Sequence, residues 1–274
     1  MVRERSNRNW ETTLQDDDAV ESIIFYEWMQ RAEINKIYSL FQRVSEIIDI
    51  EPDLVDLIGE NSNIKTYKYN GHALDKALGL GGWRVLAFNW LRDPKIRSTY
   101  AVYASYNSPP GGQISLHVDL LAVPDYPKLR KSIEYEFIHA LSPLYGMKTI
   151  MPYFRGPDVF VHGINKIMMS EDFSLIREAG ERHQARNKEF ASFQFSHPGM
   201  LKSRFRDVFH TNYISRGHLD ISVDGGNLET WIANERIGVL ERIGEVTWRW
   251  SLNDSELAVA RNKLLTMGYT AVKS

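Results

Sequence analysis

The chain contains no cysteine among its 274 residues. This absence excludes disulfide bonds, thiol nucleophiles, thiolate zinc sites and iron–sulfur clusters, and it is typical of a protein in a reducing compartment. The sequence also lacks any run of about eighteen apolar residues, so no membrane-spanning helix is predicted. The charged segment Met1–Arg8 is not followed by an apolar signal core. We therefore expect a cytoplasmic protein with no membrane partner.

An excess of charge of either sign is absent as well. Lys and Arg number 33 and Asp and Glu number 35, which gives a formal net charge of −2. Nucleic-acid-binding proteins usually carry a basic excess or a basic stripe. The densest basic region spans residues 177–206, where acidic residues offset part of it. We interpret this region as a solvated surface and expect no nucleic-acid partner.

Signatures of common active sites are missing. The sequence has no Gly-x-Ser-x-Gly elbow for a nucleophilic serine and no His-Glu-x-x-His zinc motif. The glycine-rich stretch 79–82 follows a predicted helix and lacks both the lysine of a P-loop and the spacing of a dinucleotide-binding loop. We therefore expect a non-catalytic protein without a cofactor.

What remains is an ordinary globular composition, with 43% hydrophobic and 25% charged residues. Alternating apolar and polar residues predict a strand over 114–121. Apolar residues then recur every three to four positions from Tyr126 to Tyr145, as on one face of a helix that Gly146 would end. A second strand is predicted over 147–154. This strand–helix–strand unit is predicted to be the central packing layer.

Other elements precede this unit. Helical spacing predicts a helix over 34–48, whereas 22–28 fits either a helix or a strand. The pattern also predicts a helical turn at 53–58, an edge strand at 64–69, a helix at 73–80 and strands at 84–90 and 99–106. Short connections between the last two strands and the strand at 114–121 favour an antiparallel meander.

The C-terminal part of the chain has predicted elements in a similar order to the strand–helix–strand unit. Its predicted elements are a strand or turn at 208–215, a helix at 228–234, a hairpin around Gly244, a helix capped by Asn253 or Asp254 and ended by Gly268, and a strand at 269–272. A strand, a capped helix, a glycine and a second strand also occur at 113–153. An internal duplication is therefore a hypothesis.

The predicted fold class is α+β, with antiparallel sheet layers, helices packed on one face, and two similar α+β units as one option. The predicted boundaries are an N-terminal unit at 1–155, a connecting region at 156–207 and a C-terminal unit at 208–274. A single domain spanning 16–274 is the alternative.

Two His-x-Asp pairs are the candidate metal ligands, His117 with Asp119 and His218 with Asp220. Residues two apart in a strand point to the same face, so either pair could offer two ligands to one metal or an aspartate-oriented histidine base. A metal site needs three or four ligands, and no sequence feature joins the two pairs. A structural role is the favoured interpretation, and a metal-dependent hydrolase using all four residues is the alternative function.

Aromatic residues near the loops of the first unit are the candidate binding residues. Tyr and Trp commonly anchor protein interfaces, especially beside flexible loops such as 109–112. The candidates are Tyr103, Tyr106, Tyr126, Tyr153 and Phe154. Packing within the core is the competing interpretation of the same residues.

Two stretches carry a resemblance to a known family. They are the C-terminal sequence Val208-Phe-His-Thr-Asn212-Tyr213, Trp231-Ile232 and Trp248-x-Trp250 up to Gly268, and the segment 116–146 ending in Leu141-Ser-Pro-Leu-Tyr-Gly146. They resemble the C-terminal region and the central strand–helix unit of bacterial contact-dependent and type VI toxin immunity proteins. The resemblance implies a cytoplasmic α+β protein that neutralises a cognate toxin by stoichiometric binding, with no catalytic residues. A scaffold or homo-oligomer built through sheet edges is a further hypothesis.

Overall fold

A computed structural model describes residues 19–29, 33–92, 100–108, 112–152, 190, 197 and 199–271. The strands are β1 (Ala19–Trp28), β2 (Leu54–Gly59), β3 (Ile64–Lys68), β4 (Trp83–Leu91), β5 (Tyr100–Asn107), β6 (Gln113–Asp119), β7 (Pro143–Pro152), β8 (Thr211–Ile214), β9 (Ser222–Val223), β10 (Gly226–Asn227), β11 (Val239–Arg242) and β12 (Trp248–Ser251). The helices are α1 (Ile34–Ile48), α2 (His72–Leu80), α3 (Tyr126–Leu141), α4 (Arg216–Leu219), α5 (Leu228–Glu235) and α6 (Asp254–Thr266), with a 3-10 turn at Met200–Lys202.

Ten strands form one sheet in the order β11–β12–β8–β7–β1–β6–β5–β4–β2–β3, and every pairing in it is antiparallel. β9 and β10 form a separate two-stranded ribbon. The predicted α+β class with an antiparallel sheet is confirmed. No helix among the described residues is long and apolar enough to cross a bilayer.

The sheet is built around β1. This strand lies between β6 and β7, and Ile23 pairs with Leu116 on one side and with Lys148 on the other. Because β1 is antiparallel to both neighbours, β6 and β7 run parallel to each other, and α3 makes the crossover between them. The predicted strand–helix–strand unit is present, but its two strands do not pair, since β1 occupies the place between them.

Alternate residues of β1 enter two hydrophobic cores on opposite faces of the sheet. Ile23 and Phe25 belong to the first core, together with residues of α1, α2 and α3. Ile24 and Tyr26 belong to the second core, together with residues of α4, α5 and α6. Helices therefore cover both faces of the sheet. The prediction that helices pack on one face only is wrong.

Strands from both predicted units join the single sheet. β7 pairs with β8 from Tyr145–Ile214 to Lys148–Thr211. The hydroxyl of Thr247 also donates to the carbonyl of Pro143 at 2.6 Å. Most of the predicted connecting region, 156–207, lies outside the described residues.

Several local predictions agree with the structure. The helices at α1 and α2, the meander β4–β5–β6, the edge strand β3 and the hairpin β11–β12 are all present. Asn253 caps α6, because its side chain accepts the amide of Glu256 at 3.0 Å while the Glu256 carboxylate accepts the amide of Asn253 at 2.8 Å. This reciprocal pair is a capping box.

Three local predictions are corrected. The segment 53–58 is strand β2 rather than a helical turn, because its exposure alternates and it pairs with β3 and β4. The helix predicted to reach Gly146 ends at Leu141, since Ser142 is left-handed (φ 49°) and a residue before proline avoids the helical conformation. Near the C-terminus, Thr270 makes one parallel bridge with Phe205 instead of belonging to a strand.

Candidate functional site

A group of charged side chains lies between α3 and the sheet face that carries the first core. Glu21 on β1, Lys148 on β7 and Arg249 on β12 all point to this face, as their cross-strand register requires. Arg130 and Glu134 face them from successive turns of α3. We call these five residues the charged cluster.

Ion pairs join the members of the charged cluster. Arg130 Nη1 donates to Glu21 Oε2 at 2.8 Å. Lys148 Nζ and Arg249 Nη1 donate to the two oxygens of Glu134 at 3.2 and 2.8 Å. The carboxylate side chains of Glu21 and Glu134 are 3% and 5% exposed, whereas the cations are 17–32% exposed. The acidic groups are thus buried, and the basic groups reach the solvent.

Two buried tyrosines complete the charged cluster from inside. The Tyr126 hydroxyl lies beside the Glu21 carboxylate, and the Tyr213 hydroxyl lies beside the Glu134 carboxylate. Burial and the neighbouring carboxylates raise the pKa of both phenols well above the usual range, so both remain neutral. Burial also raises the pKa of Glu21, more than Arg130 and Lys148 lower it.

The same sheet face continues from the charged cluster to the edge strand β11. The pairings Lys148–Thr211, Thr211–Ser251 and Ser251–Val239 run straight across four strands. We call this region the shelf; its residues are Lys148, Ile150, Thr211, Arg249, Ser251, Val239 and Glu241. Ile150 and Val239 are 58% and 67% exposed. Glu241 accepts Arg249 Nη2 at 2.5 Å and is the acidic member of the shelf.

His117, a predicted metal ligand, lies on the opposite face of the sheet from the charged cluster. Its Nδ1 is 2.7 Å from the hydroxyl of Ser22 on β1, and its Nε2 is 3.0 Å from the hydroxyl of Ser115. Ser115 is in turn 3.0 Å from the hydroxyl of Ser105 on β5. Hydroxyl groups thus occupy both ring nitrogens of His117, the atoms with which a histidine binds a metal.

Asp119 shares the face of His117, as the spacing in a strand predicts. Its Oδ2 is 2.7 Å from Arg92 Nη2, and its Oδ1 accepts the amide of Leu121 at 3.0 Å. Tyr103, the cross-strand partner of His117, stacks on the histidine ring with centroids 5.9 Å apart. The structure therefore brings together three of the predicted site residues, Tyr103, His117 and Asp119.

The second His-x-Asp pair is not in a strand, because His218 lies in α4 and Asp220 follows it. His218 is fully buried and stacks on Tyr145 with centroids 5.3 Å apart. Its Nε2 donates to the Arg204 carbonyl at 3.2 Å, and burial lowers its pKa to about 4. Asp220 is about half exposed and pairs with Arg216 at 2.9 Å. The two side chains point away from each other.

The geometry gives no support to the metal-dependent hydrolase. Among the described residues, no group of three or more His, Cys, Asp or Glu side chains is arranged to hold a metal ion. His117 and His218 are engaged in separate networks, the first with serine hydroxyls and the second with α4 and the carbonyl of Arg204.

The other aromatic candidates lie apart from Tyr103. Tyr106 is buried in the first core against Trp28, since residues three apart in a strand face opposite ways. Tyr126 is fully buried beside the charged cluster. Tyr153 and Phe154 fall outside the described residues.

Sequence reasoning missed the charged cluster. Its visible signals are the spacing of Arg130 and Glu134, which places both on one side of α3, and the charges of Glu21 and Lys148 inside otherwise apolar strands. Neither signal predicts which side chains pair with one another.

Comparison with known proteins identifies a shared fold. No protein-family model matches the chain, and no curated protein matches it. Among solved structures, the chain is similar to the Pseudomonas aeruginosa T6SS protein PA0821, with a TM-score of 0.55 and 13% sequence identity. The alignment covers 92% of this chain and 73% of that chain. At this identity the likeness is one of fold.

Proposed function

We propose that this chain is an immunity protein of a type VI secretion system, which binds a cognate toxin and neutralises it stoichiometrically. The observation that carries the proposal is the fold shared with a T6SS protein over 92% of this chain. The sequence resemblance to toxin immunity proteins supports the same function. The cytoplasm is the proposed site of action, and cell fractionation tests that location.

The described structure suits a protein that acts by contact. The candidate histidines are held in buried networks, and the charged cluster fixes α3 to three strands of the sheet. A surface fixed before binding loses little conformational entropy in a complex, which favours affinity. A stoichiometric inhibitor needs about 800 Å² of contact on its own side of the interface.

Expression of the adjacent gene tests the proposal. We expect the product of that gene to arrest the growth of a bacterial host when expressed alone, and co-expression of this chain to restore growth. Light scattering after size-exclusion chromatography should show a complex of fixed stoichiometry. The same measurement on the chain alone reports any self-association through the sheet edges β3 and β11.

An unrelated toxin of the same host is the control, and this chain should not neutralise it. The proposal fails if the folded chain neither binds nor neutralises the products of its neighbouring genes.

A further inference from the structure

We infer that the shelf is the surface that receives the toxin and that the toxin segment bound there is acidic; this inference rests on the proposed function. Four strands form the floor of the shelf and α3 forms a wall beside it. Adjacent strands are about 4.8 Å apart, so the row from Lys148 to Val239 spans roughly 14 Å. A helix with its side chains is about 10–12 Å wide, so the shelf has room for one helical or extended segment.

The sign of the partner's charge follows from which charges are exposed. Glu21 and Glu134 neutralise the cluster from below, where they are almost completely buried. Arg130, Lys148 and Arg249 form the solvent side of the same cluster, at 32%, 17% and 20% exposure. The Glu241 carboxylate is also exposed on this side, at 55%, so an approaching surface meets three cations and one carboxylate of this group and therefore a net positive charge.

The cations are also held in place before binding. Arg249 is fixed by Glu134 on one side and by Glu241 on the other. Arg130 donates from Nη1 to Glu21, and a guanidinium carries five N–H donors, so one ion pair does not exhaust it. Because these side chains are already ordered, pairing with an incoming carboxylate costs less rotamer entropy than pairing with a mobile lysine.

Exposed aliphatic side chains flank the charges. Ile150 and Val239 lie at opposite sides of the shelf and are more than half exposed. Protein interfaces combine apolar contacts with arginine at their centre, and a few such residues carry most of the binding energy. The shelf offers both kinds of residue on one rigid sheet face.

The test is the variant Ile150→Glu, which adds a negative charge two residues from Lys148 and directly opposite Glu21, so its free energy of unfolding is measured by urea denaturation beside its affinity. The matched control is Ile64→Glu, because Ile64 is 66% exposed on β3, at the far end of the same sheet. Isothermal titration calorimetry with the toxin from the adjacent gene measures Kd for both. We expect Ile150→Glu to weaken binding about tenfold or more, and Ile64→Glu to change Kd by less than about twofold.

Equal affinities of Ile150→Glu and wild type, or equal losses in both variants, would overturn the inference while leaving the proposed function intact. If no neighbouring gene product binds, the proposed function fails. Binding of a fluorescent glutamate-rich peptide then tests whether the shelf is a site for acidic segments. We expect wild type and Ile64→Glu to bind this peptide more tightly than Ile150→Glu at low salt, with affinity falling as salt rises. Equal binding by both variants in that experiment rejects the shelf as an acidic-segment site.

Discussion

Arg249 donates to the carboxylate of Glu134 at 2.8 Å, across 115 positions of the sequence. The other oxygen of the same carboxylate accepts Lys148 at 3.2 Å. One side chain of α3 therefore holds β7, which is the neighbour of the central strand, and β12, which lies next to the sheet edge. This contact links the N-terminal and C-terminal parts of the chain within one sheet.

We predict that Glu134→Gln destabilises the protein by about 1–3 kcal/mol, because two cations lose their common carboxylate while remaining partly in contact with water. Urea denaturation at neutral pH measures the change. The control is Glu136→Gln, two positions along the same helix, whose 3.0 Å pair with Arg43 has side chains 26% and 50% exposed. It should cost less than about 0.5 kcal/mol. Similar losses in both variants would contradict the assigned role of Glu134.

Gly146 lies where the chain leaves no room for a side chain. A Cβ at this position would lie 2.4 Å from Phe25 Cδ1 and 2.5 Å from the carbonyl oxygen of Ile24. The contacted carbonyl belongs to the central strand, which cannot move aside. We expect Gly146→Ala to cost about 2–3 kcal/mol in the free energy of unfolding, measured by urea denaturation.

Gly79 is the matched control for Gly146. It lies in α2, and a Cβ there would meet nothing within 4 Å. Since alanine favours the helix over glycine, Gly79→Ala should raise the free energy of unfolding by about 0.5–1 kcal/mol. A gain at both sites would show that Gly146 has more room than the contacts around it indicate.

The sequence predicts elements that have one apolar stripe or clear turn residues at their ends. α1 has a continuous apolar stripe, and the meander β4–β6 has turn residues between its strands, which place β6 although Gln113 to Asp119 are all buried. β1 is buried in the same way from Val20 to Tyr26, but no glycine or proline flanks it. A strand covered on both faces loses its alternation, and its segment therefore fits a helix equally well.

The candidate site depends on contacts that no local pattern contains. Ser22 meets His117 across 95 positions, and the spacing of Arg130 and Glu134 shows a shared helix side but not what faces it. Both partnerships exist because β1 inserts between β6 and β7. That insertion is a property of the sheet order, which sequence periodicity does not specify.

The raised pKa of Glu21 gives a prediction with a definite sign. Burial raises this pKa above 4.5 in the folded protein, so the folded state holds the proton more tightly than the unfolded state. Stability from this group therefore rises as the pH falls through the raised pKa towards 4.5. Glu21→Gln lacks this rise. Between pH 7 and pH 4 wild type should therefore gain stability relative to Glu21→Gln. Urea denaturation of both proteins at the two pH values measures this gain. A gain in the stability of Glu21→Gln relative to wild type on acidification would contradict the prediction.

His218 should act in the opposite direction over the same range of pH. Burial lowers its pKa from 6.5 to about 4, so the unfolded chain binds this proton more readily and stability falls as the pH drops from 6.5 to 4. The shift corresponds to a loss of roughly 3 kcal/mol across that window. His218→Phe keeps a ring beside Tyr145 but cannot titrate.

We therefore expect His218→Phe to be less stable than wild type at pH 7, because the bond to the Arg204 carbonyl is lost, and the gap to narrow steadily down to pH 4. Urea denaturation at half-unit steps of pH measures both profiles. The control is His139→Gln, which replaces an exposed histidine of α3. If His218→Phe follows the slope of wild type, His218 binds its proton equally well in the folded and unfolded chains, and burial does not keep the ring neutral as its contacts with Arg204 and Ser215 require.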